Sequence, residues 1–239
     1  MSNKPINVES RKSIDKKILN AITIDCVVFG FDKGNLEVLL IKRADGIQKG
    51  KWALPGDWIL EDEHIDEAAN RLLEGYTNLK DVFLEQLKAF GNPARFPLGR
   101  VITIGYYALL KKENLYTQPG YRASEILWCN VNEIPELIYD HNEIIEFAQQ
   151  KLQEKVRKEP IGFNLLPEKF TLLELMQLYE EILHYKMDKP NFRKKILKMK
   201  LLNPLDEKQT NVSHRAAQLY EFNQDNYEKL TKKGFTFEF

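Results

Sequence analysis

Hydrophobic and polar positions follow two regimes along this chain, and the change falls near residue 155. Residues 22–31 and 36–41 are apolar or β-branched runs separated by Asp32-Lys33-Gly34-Asn35, a hairpin signal. Residues 101–110 (VITIGYYALL) and 126–131 predict further strands. Between them the period lengthens. Residues 67–76 place Ala68, Leu72 and Tyr76 on one helical face with Ala69 and Leu73 beside it, and residues 142–155 carry a stripe of Ile145, Ala148 and Leu152. A mainly β core with helices laid against it predicts an α+β fold and not a βαβ repeat.

Beyond the charged stretch KVRKEP (residues 155–160), which ends in a helix-resisting proline, the pattern is helical. Residues 171–183 (TLLELMQLYEEIL) predict a helix with Thr171 as N-cap and Leu172, Leu175, Leu178 and Ile182 inward. A short turn leads to a second helix over 190–199, with Pro190 in its first turn. Leu201-Leu202, a polar stretch over 206–214 and an apolar run over 216–222 then predict two strands around a loop. Helix, turn, basic helix and paired strands form the layout of a winged helix-turn-helix. The predicted division is an extension over 1–20, a first domain over 21–158 and a second over 159–239. Ile14, Ile18 and Ala21 give the extension a faint helical spacing suited to packing on a partner subunit.

Net charge sharpens this division. The 239 residues carry 35 basic and 35 acidic side chains, a total that by itself argues against a polyanion partner. Residues 1–150 hold 18 basic and 22 acidic residues, however, and residues 151–239 hold 17 and 13, so an acidic front and a basic back cancel. No apolar run approaches the roughly 20 residues that span a bilayer, and the polar start lacks a secretory core. Cys26 and Cys129 lie in apolar runs as buried, reduced thiols. A cytoplasmic protein with no membrane contact is expected.

Residues 52–79 read WALPGDWILEDEHIDEAANRLLEGYTNL. This stretch resembles the signature of the Nudix fold, G-x5-E-x7-R-E-U-x-E-E-x-G-U, where U is a large apolar residue. In that frame Glu63 and Arg71 are retained. Asp57 stands for the first glycine, Leu72 for a glutamate, Gly75-Tyr76 for the glutamate pair and Asn78 for the last glycine, while Leu73 and Leu79 keep the apolar positions. Nudix hydrolysis needs several carboxylates on one helix face to hold Mg²⁺ against a diphosphate. Here positions 72, 75 and 76 offer almost no oxygen, and Glu63 with Glu67 would hold an ion only loosely. The chain is therefore expected to lack catalytic residues, a metal and any cofactor while keeping the cavity.

Eight polar residues are candidates for that cavity: Asp25, Arg43, Gln86, Arg95, Arg100, Tyr106, Asp140 and His141. Asp25 interrupts an apolar strand, where a carboxylate needs a partner, either a sugar hydroxyl or Arg43 or Arg100. Arg95 sits in the Gly/Pro-rich loop GNPARFPLGR. Asp140-His141 precede a helix, where an N-cap role competes with a ligand contact. Trp58 and Phe90 are aromatics suited either to stacking on a ring or to the core.

In the second helix of the back domain, Ile196 and Met199 fall within about 40° of Phe192, and Asn191, Lys194 and Lys198 lie opposite. Segment 191–200 holds five cations and no anion, as a major-groove reader requires. Lys189, Arg193, Lys194, Lys195 and Lys198 suit phosphate contacts, and Asn191 or Arg193 can read base edges. In the following loop Lys208, His214 and Arg215 are candidates for backbone contacts.

The join over 159–182 (EPIGFNLLPEKFTLLELMQLYEEI) and the NFRKKI of 191–196 resemble the linker and winged helix of the NrtR-like, Nudix-related transcriptional regulators. The Asp25 strand, the 91–100 loop and Tyr106-Tyr107 also resemble that family, so the similarity runs from about Ile22 onward. It implies a Nudix-like sensor joined to a winged-helix reader of double-stranded DNA, acting as a homodimer on a palindromic operator. Members respond to ADP-ribose in control of NAD metabolism or to pentoses, notably arabinose in a Bacteroidetes branch. The emptied box favours a pentose such as L-arabinose and a repressor of sugar-utilisation genes. ADP-ribose held by Arg43, Arg95 and Arg100, or a Nudix hydrolase of a nucleotide sugar, are the alternatives.

Overall fold

The computed structural model describes residues 21–77, 83–112, 119, 123–210 and 216–238. The extension over 1–20, with its expected helical packing, lies outside the described residues, as do Asn78 and Leu79. A mixed sheet forms the front domain. Strands β1 (Ile22–Asp32), β2 (Asn35–Arg43), β3 (Trp52–Ala53), β4 (Gly56–Trp58), β5 (Phe83–Phe90), β6 (Ile102–Lys111) and β7 (Ala123–Asn130) make it up. Its order is β3-β2-β1-β6-β5, with β4 paired to β1 and β7 to β2. β1 runs parallel to β6, and the other pairings are antiparallel.

Side-chain alternation sends β1 to two cores. Ile24, Cys26 and Val28 meet Ala68, Ala69, Leu72, Leu73 and Tyr76 of α1 (Ile65–Thr77) on one face. Val27 and Phe29 face Ile144, Ile145, Ala148 and Leu152 of α2 (His141–Val156) on the other. Each fully buried Ile, Val, Leu or Phe among these contributes about 1.5–3 kcal/mol, so both faces of the sheet are strongly held. Cys26 is buried, and the lost hydration pushes its thiol up to about 12, which leaves it inert; Cys129 is only partly buried.

A 3-10 turn, Pro160–Leu165, carries the chain from α2 to the winged helix. There α3 (Leu172–Leu183) opens with a capping box: Thr171 Oγ1 accepts from the Glu174 amide at 3.1 Å, and Glu174 accepts from the Thr171 amide at 2.7 Å. His184, at φ 55°, ends it. The turn is clamped from within, because Glu180 accepts from the Met187 amide at 2.7 Å and from Lys186 at 3.1 Å. α4 (Lys189–Lys198) starts at Asp188, whose carboxylate accepts from the Asn191 amide at 3.0 Å. The hairpin of β8 (Leu202–Lys208) and β9 (Gln218–Phe222) follows, and Phe170 bridges to Tyr220 as a third edge. One apolar core runs without a break from Val27 and Leu54 through Phe163 and Leu178 to Phe192 and Ile196.

Several elements lie beyond the predicted ones. β5 (FLEQLKAF) uses residues with weak strand preference, and a bulge between Gln86 and Ala89 breaks its alternation. β3 and β4 are too short to show a period. α5 (Gln224–Thr231) buries no residue fully, so its apolar stripe is faint.

Candidate functional site

A cavity of about 420 Å³ opens where the start of β1, the end of β2, the Leu54-Pro55-Gly56 segment, the 95–101 loop and the start of α2 converge. β1 lends Asp25, β2 lends Arg43, the loop lends Arg95, and the start of α2 lends Asp140 and His141. Arg95 donates through Nε and Nη2 to both oxygens of Asp140, at 2.9 and 2.8 Å, and through Nη2 to Asp25 at 3.1 Å. His141 Nδ1 accepts from the Leu54 amide at 2.9 Å, which places the imidazole proton on Nε2, facing Asp25 Oδ1 at 3.6 Å. Burial holds the His141 pKa below its ordinary value, so the ring is neutral at physiological pH. Burial would also lower the Arg95 pKa, but its bonds to Asp140 and Asp25 reverse the direction. Removing one member of such a buried network costs about 3–5 kcal/mol, because it strands the charges that remain.

Asp25 therefore pairs with Arg95 rather than with Arg43 or Arg100. Asp140 stands at the N-cap position of α2 but makes no side-chain cap bond there, its carboxylate being spent on Arg95. Arg43 lines the cavity with no carboxylate partner among the described residues, and its Nε is buried without a hydrogen bond. Thr23 Oγ1 and the Tyr139 hydroxyl, on two further lining residues, are in the same state. Both escaped the sequence reading. Tyr139, at φ 55° and edge-on to Phe96 and His141, was signalled only by its place beside Asp140. Gly56 was not among the cavity candidates either: a Cβ there would lie 2.2 Å from Asp25 Oδ1.

Three candidates fall elsewhere. Gln86 and Tyr106 share a register position, and Tyr106 points with Cys26 into the α1 core, so its hydroxyl bonds Asp66 and, at 3.3 Å, Gln86. One residue of strand parity puts them on the face opposite Asp25. Arg100 is exposed and donates to the Gly91 carbonyl. Of the two aromatics, Trp58 lines the cavity and Phe90 is core.

The box beside the cavity does not fit a divalent cation. Leu72 and Tyr76 are buried against the sheet, 6% and 5% exposed, where ligating carboxylates would have to face out. Glu63 accepts two bonds from Arg71, at 2.8 and 2.7 Å, and one from the Leu60 amide at 2.8 Å. The Arg71 guanidinium also holds the Glu63 carboxyl below its usual range. Glu67 caps α1 by accepting from the His64 amide at 2.7 Å. Among the described residues no three ligating side chains converge.

At the other end of the molecule, Phe192 and Ile196 pin α4 to the core, leaving Lys189, Asn191, Arg193, Lys194, Lys195 and Lys198 exposed. No described carboxylate forms an ion pair with Lys189, Arg193, Lys194 or Lys198. Lys208 is exposed at the end of β8, whereas His214 and Arg215 lie outside the described residues. A dry inner side and an outer side on which Lys189, Arg193, Lys194 and Lys198 have no ion-pair partner among the described residues have the geometry for a nucleic-acid groove.

Comparison with known proteins joins the two ends. Residues 19–149 match the NUDIX domain family, and residues 162–222 match the NrtR DNA-binding winged helix domain. The chain is 31% identical over 211 residues to the ADPR responsive transcriptional repressor NtrR of Acinetobacter baylyi, spanning 87% of this chain and 84% of that one. Shewanella oneidensis NrtR, solved in complex with a 27mer DNA, superposes with a TM-score of 0.75 at 29% identity, covering 87% of this chain and 95% of the other. The NUDIX domain of that NrtR, solved with ADP ribose, superposes with a TM-score of 0.52 at 30% identity, covering 62% of this chain and 99% of the domain. Matched in order over most of its length, the chain belongs to the NrtR-like proteins, a Nudix domain followed by an NrtR winged-helix domain.

Proposed function

We propose that this protein is an ADP-ribose-responsive transcriptional repressor whose sensor binds its effector without hydrolysing it. The observation that carries this reading is the cavity's mixed chemistry. Arg43, with no carboxylate partner among the described residues, a buried acid–base network at Asp25, Arg95, Asp140 and His141, and aromatic walls at Phe96, Trp58 and Tyr139 suit a diphosphate, a pentose and a purine. Its volume falls within the about 300–1,000 Å³ of sites that enclose drug-sized ligands. The expectation of a pentose effector such as L-arabinose gives way to its alternative, because the relatives of stated ligand or response are linked to ADP-ribose.

In this reading residues 21–158 sense and residues 159–239 read DNA in the cytoplasm. Two protomers engage a palindromic operator with half-sites about 10 bp apart. Effector binding favours a conformation with poor affinity for DNA, which is how a ligand shifts a pre-existing equilibrium. Lys189, Arg193, Lys194, Lys195 and Lys198 neutralise phosphates and Asn191 reads a base edge, with Lys208 on the flanking backbone.

Calorimetry of the whole chain with ADP-ribose tests the sensor half. Saturable binding is expected, unchanged by chelator, with ADP-ribose recovered intact after incubation with Mg²⁺ or Mn²⁺. Turnover lost in Glu63→Gln would instead make the protein a hydrolase.

A further inference from the structure

Among the described residues from 159 onward, Glu180 is the only charged side chain that is buried, at 9% exposure, and it lies on the last turn of α3. Its two oxygens are divided. Oε1 accepts from the Met187 amide at 2.7 Å, and Oε2 accepts from Lys186 Nζ at 3.1 Å. The Met187 amide first, and Lys186 after it, hold the carboxyl below its usual range, so it is ionised at physiological pH. A carboxylate costs more to bury than the apolar Leu178 and Ile182 beside it, so filling the core does not account for it.

The two bonds differ in what they fix. The Lys186 side chain is 85% exposed and reaches back from solvent, and an ion pair with so exposed a partner contributes little. The other bond fixes backbone. His184 ends α3 in the left-handed region, and Asp188 caps α4 by accepting from the Asn191 amide, so Met187 is the last residue before the cap. His184, Tyr185, Lys186 and Asp188 are exposed and Met187 is half-buried, which leaves apolar packing little hold on the turn. Further along, Phe192 and Ile196 decide which side of α4 faces the core. The first turn of α4, with Lys189, Pro190 and Asn191 exposed, takes its place from the Glu180–Met187 bond.

We infer that Glu180 is a positioning residue for the reading of DNA sequence: by holding the Met187 amide it seats the first turn of α4 on α3 and so places Asn191. This rests on α4 as the DNA reader and adds a residue that touches no DNA itself. The first residues of a recognition helix meet base edges, and hydrogen bonds to bases depend on distance and angle. Attraction between lysines and phosphates tolerates a small displacement and carries no sequence information. Loss of the Met187 bond therefore lowers discrimination between sequences and leaves general DNA binding in place.

The test is fluorescence anisotropy on the full chain with two duplexes, the fragment from upstream of its own operon and a scrambled duplex of equal length and composition. Wild type, Glu180→Gln and Glu180→Asp are compared, each after a thermal melt. Gln keeps an oxygen at the same reach without the charge; Asp keeps the charge one methylene short of the Met187 amide. Glu180→Gln is expected to keep the preference for the upstream fragment within about threefold of wild type. Glu180→Asp should lose about tenfold of that preference, the worth of one good base contact. Its affinity for the scrambled duplex should stay within about twofold and its salt slope should not change. An undiminished preference in Glu180→Asp overturns the inference, and so does equal weakening on both duplexes. Preference lost in Glu180→Gln also overturns it, by making the charge the cause, and that result decides even where Glu180→Asp fails to fold. Wild type that binds neither duplex sinks the DNA-reading role itself.

Discussion

Gly56 shows how much of the site hangs on one missing atom. A methyl group there would collide with Asp25 Oδ1 at 2.2 Å and with the Ile24 carbonyl at 3.0 Å, so the carboxylate would have to leave its place opposite His141. Gly56→Ala should cost about 1–3 kcal/mol of stability, as overpacking does, and abolish ADP-ribose binding in a protein that still melts cooperatively. Thermal melts read beside calorimetry check both. The site was half legible at this scale. Asp25 announced itself because a carboxylate in an apolar strand needs a partner, but the arginines expected for it were Arg43 and Arg100, and the actual partner, Arg95, comes from a loop 70 residues away. Gln86 and Tyr106 were legible as polar residues on strands but not as residues of the wrong face, since parity is fixed only once β1 and β6 are in register.

Helix α4 is the clearest case at the scale of elements. Its inward residues, Phe192 and Ile196, were legible from spacing alone, and so was its cationic side, because a ten-residue segment without an anion leaves little choice of outer face. Thr171 as the cap of α3 was equally plain. β5 was not, since an edge strand with a bulge carries neither period nor composition. If Lys194 and Lys198 touch DNA phosphates, Lys194→Ala with Lys198→Ala should weaken binding uniformly across sequences. The log–log salt slope should then fall by about one for each phosphate left without its lysine. Anisotropy titrations at several salt concentrations give that slope. An unchanged slope would make this side of α4 a merely solvated surface.

At the scale of the whole molecule, the DNA reader is packed onto the sensor and not merely tethered to it. α2 begins at the cavity with His141 and packs along its length against the sheet, α3 and the linker turn; Phe163 of that turn stacks on Phe222 of β9 at 4.2 Å. A ligand that repositions the start of α2 therefore acts on the seat of the winged helix through a continuous core. Couplings of this kind amount to about 1–3 kcal/mol, or roughly 5–150-fold in affinity. Cancellation of charge between the halves reflects the same division, an acidic sensor and a basic DNA reader on one chain. The most direct measurement is the fluorescence anisotropy of a labelled DNA fragment from upstream of the protein's own operon, titrated with protein with and without saturating ADP-ribose. The account predicts binding that ADP-ribose weakens by a factor in that range; a DNA affinity indifferent to ADP-ribose would contradict it.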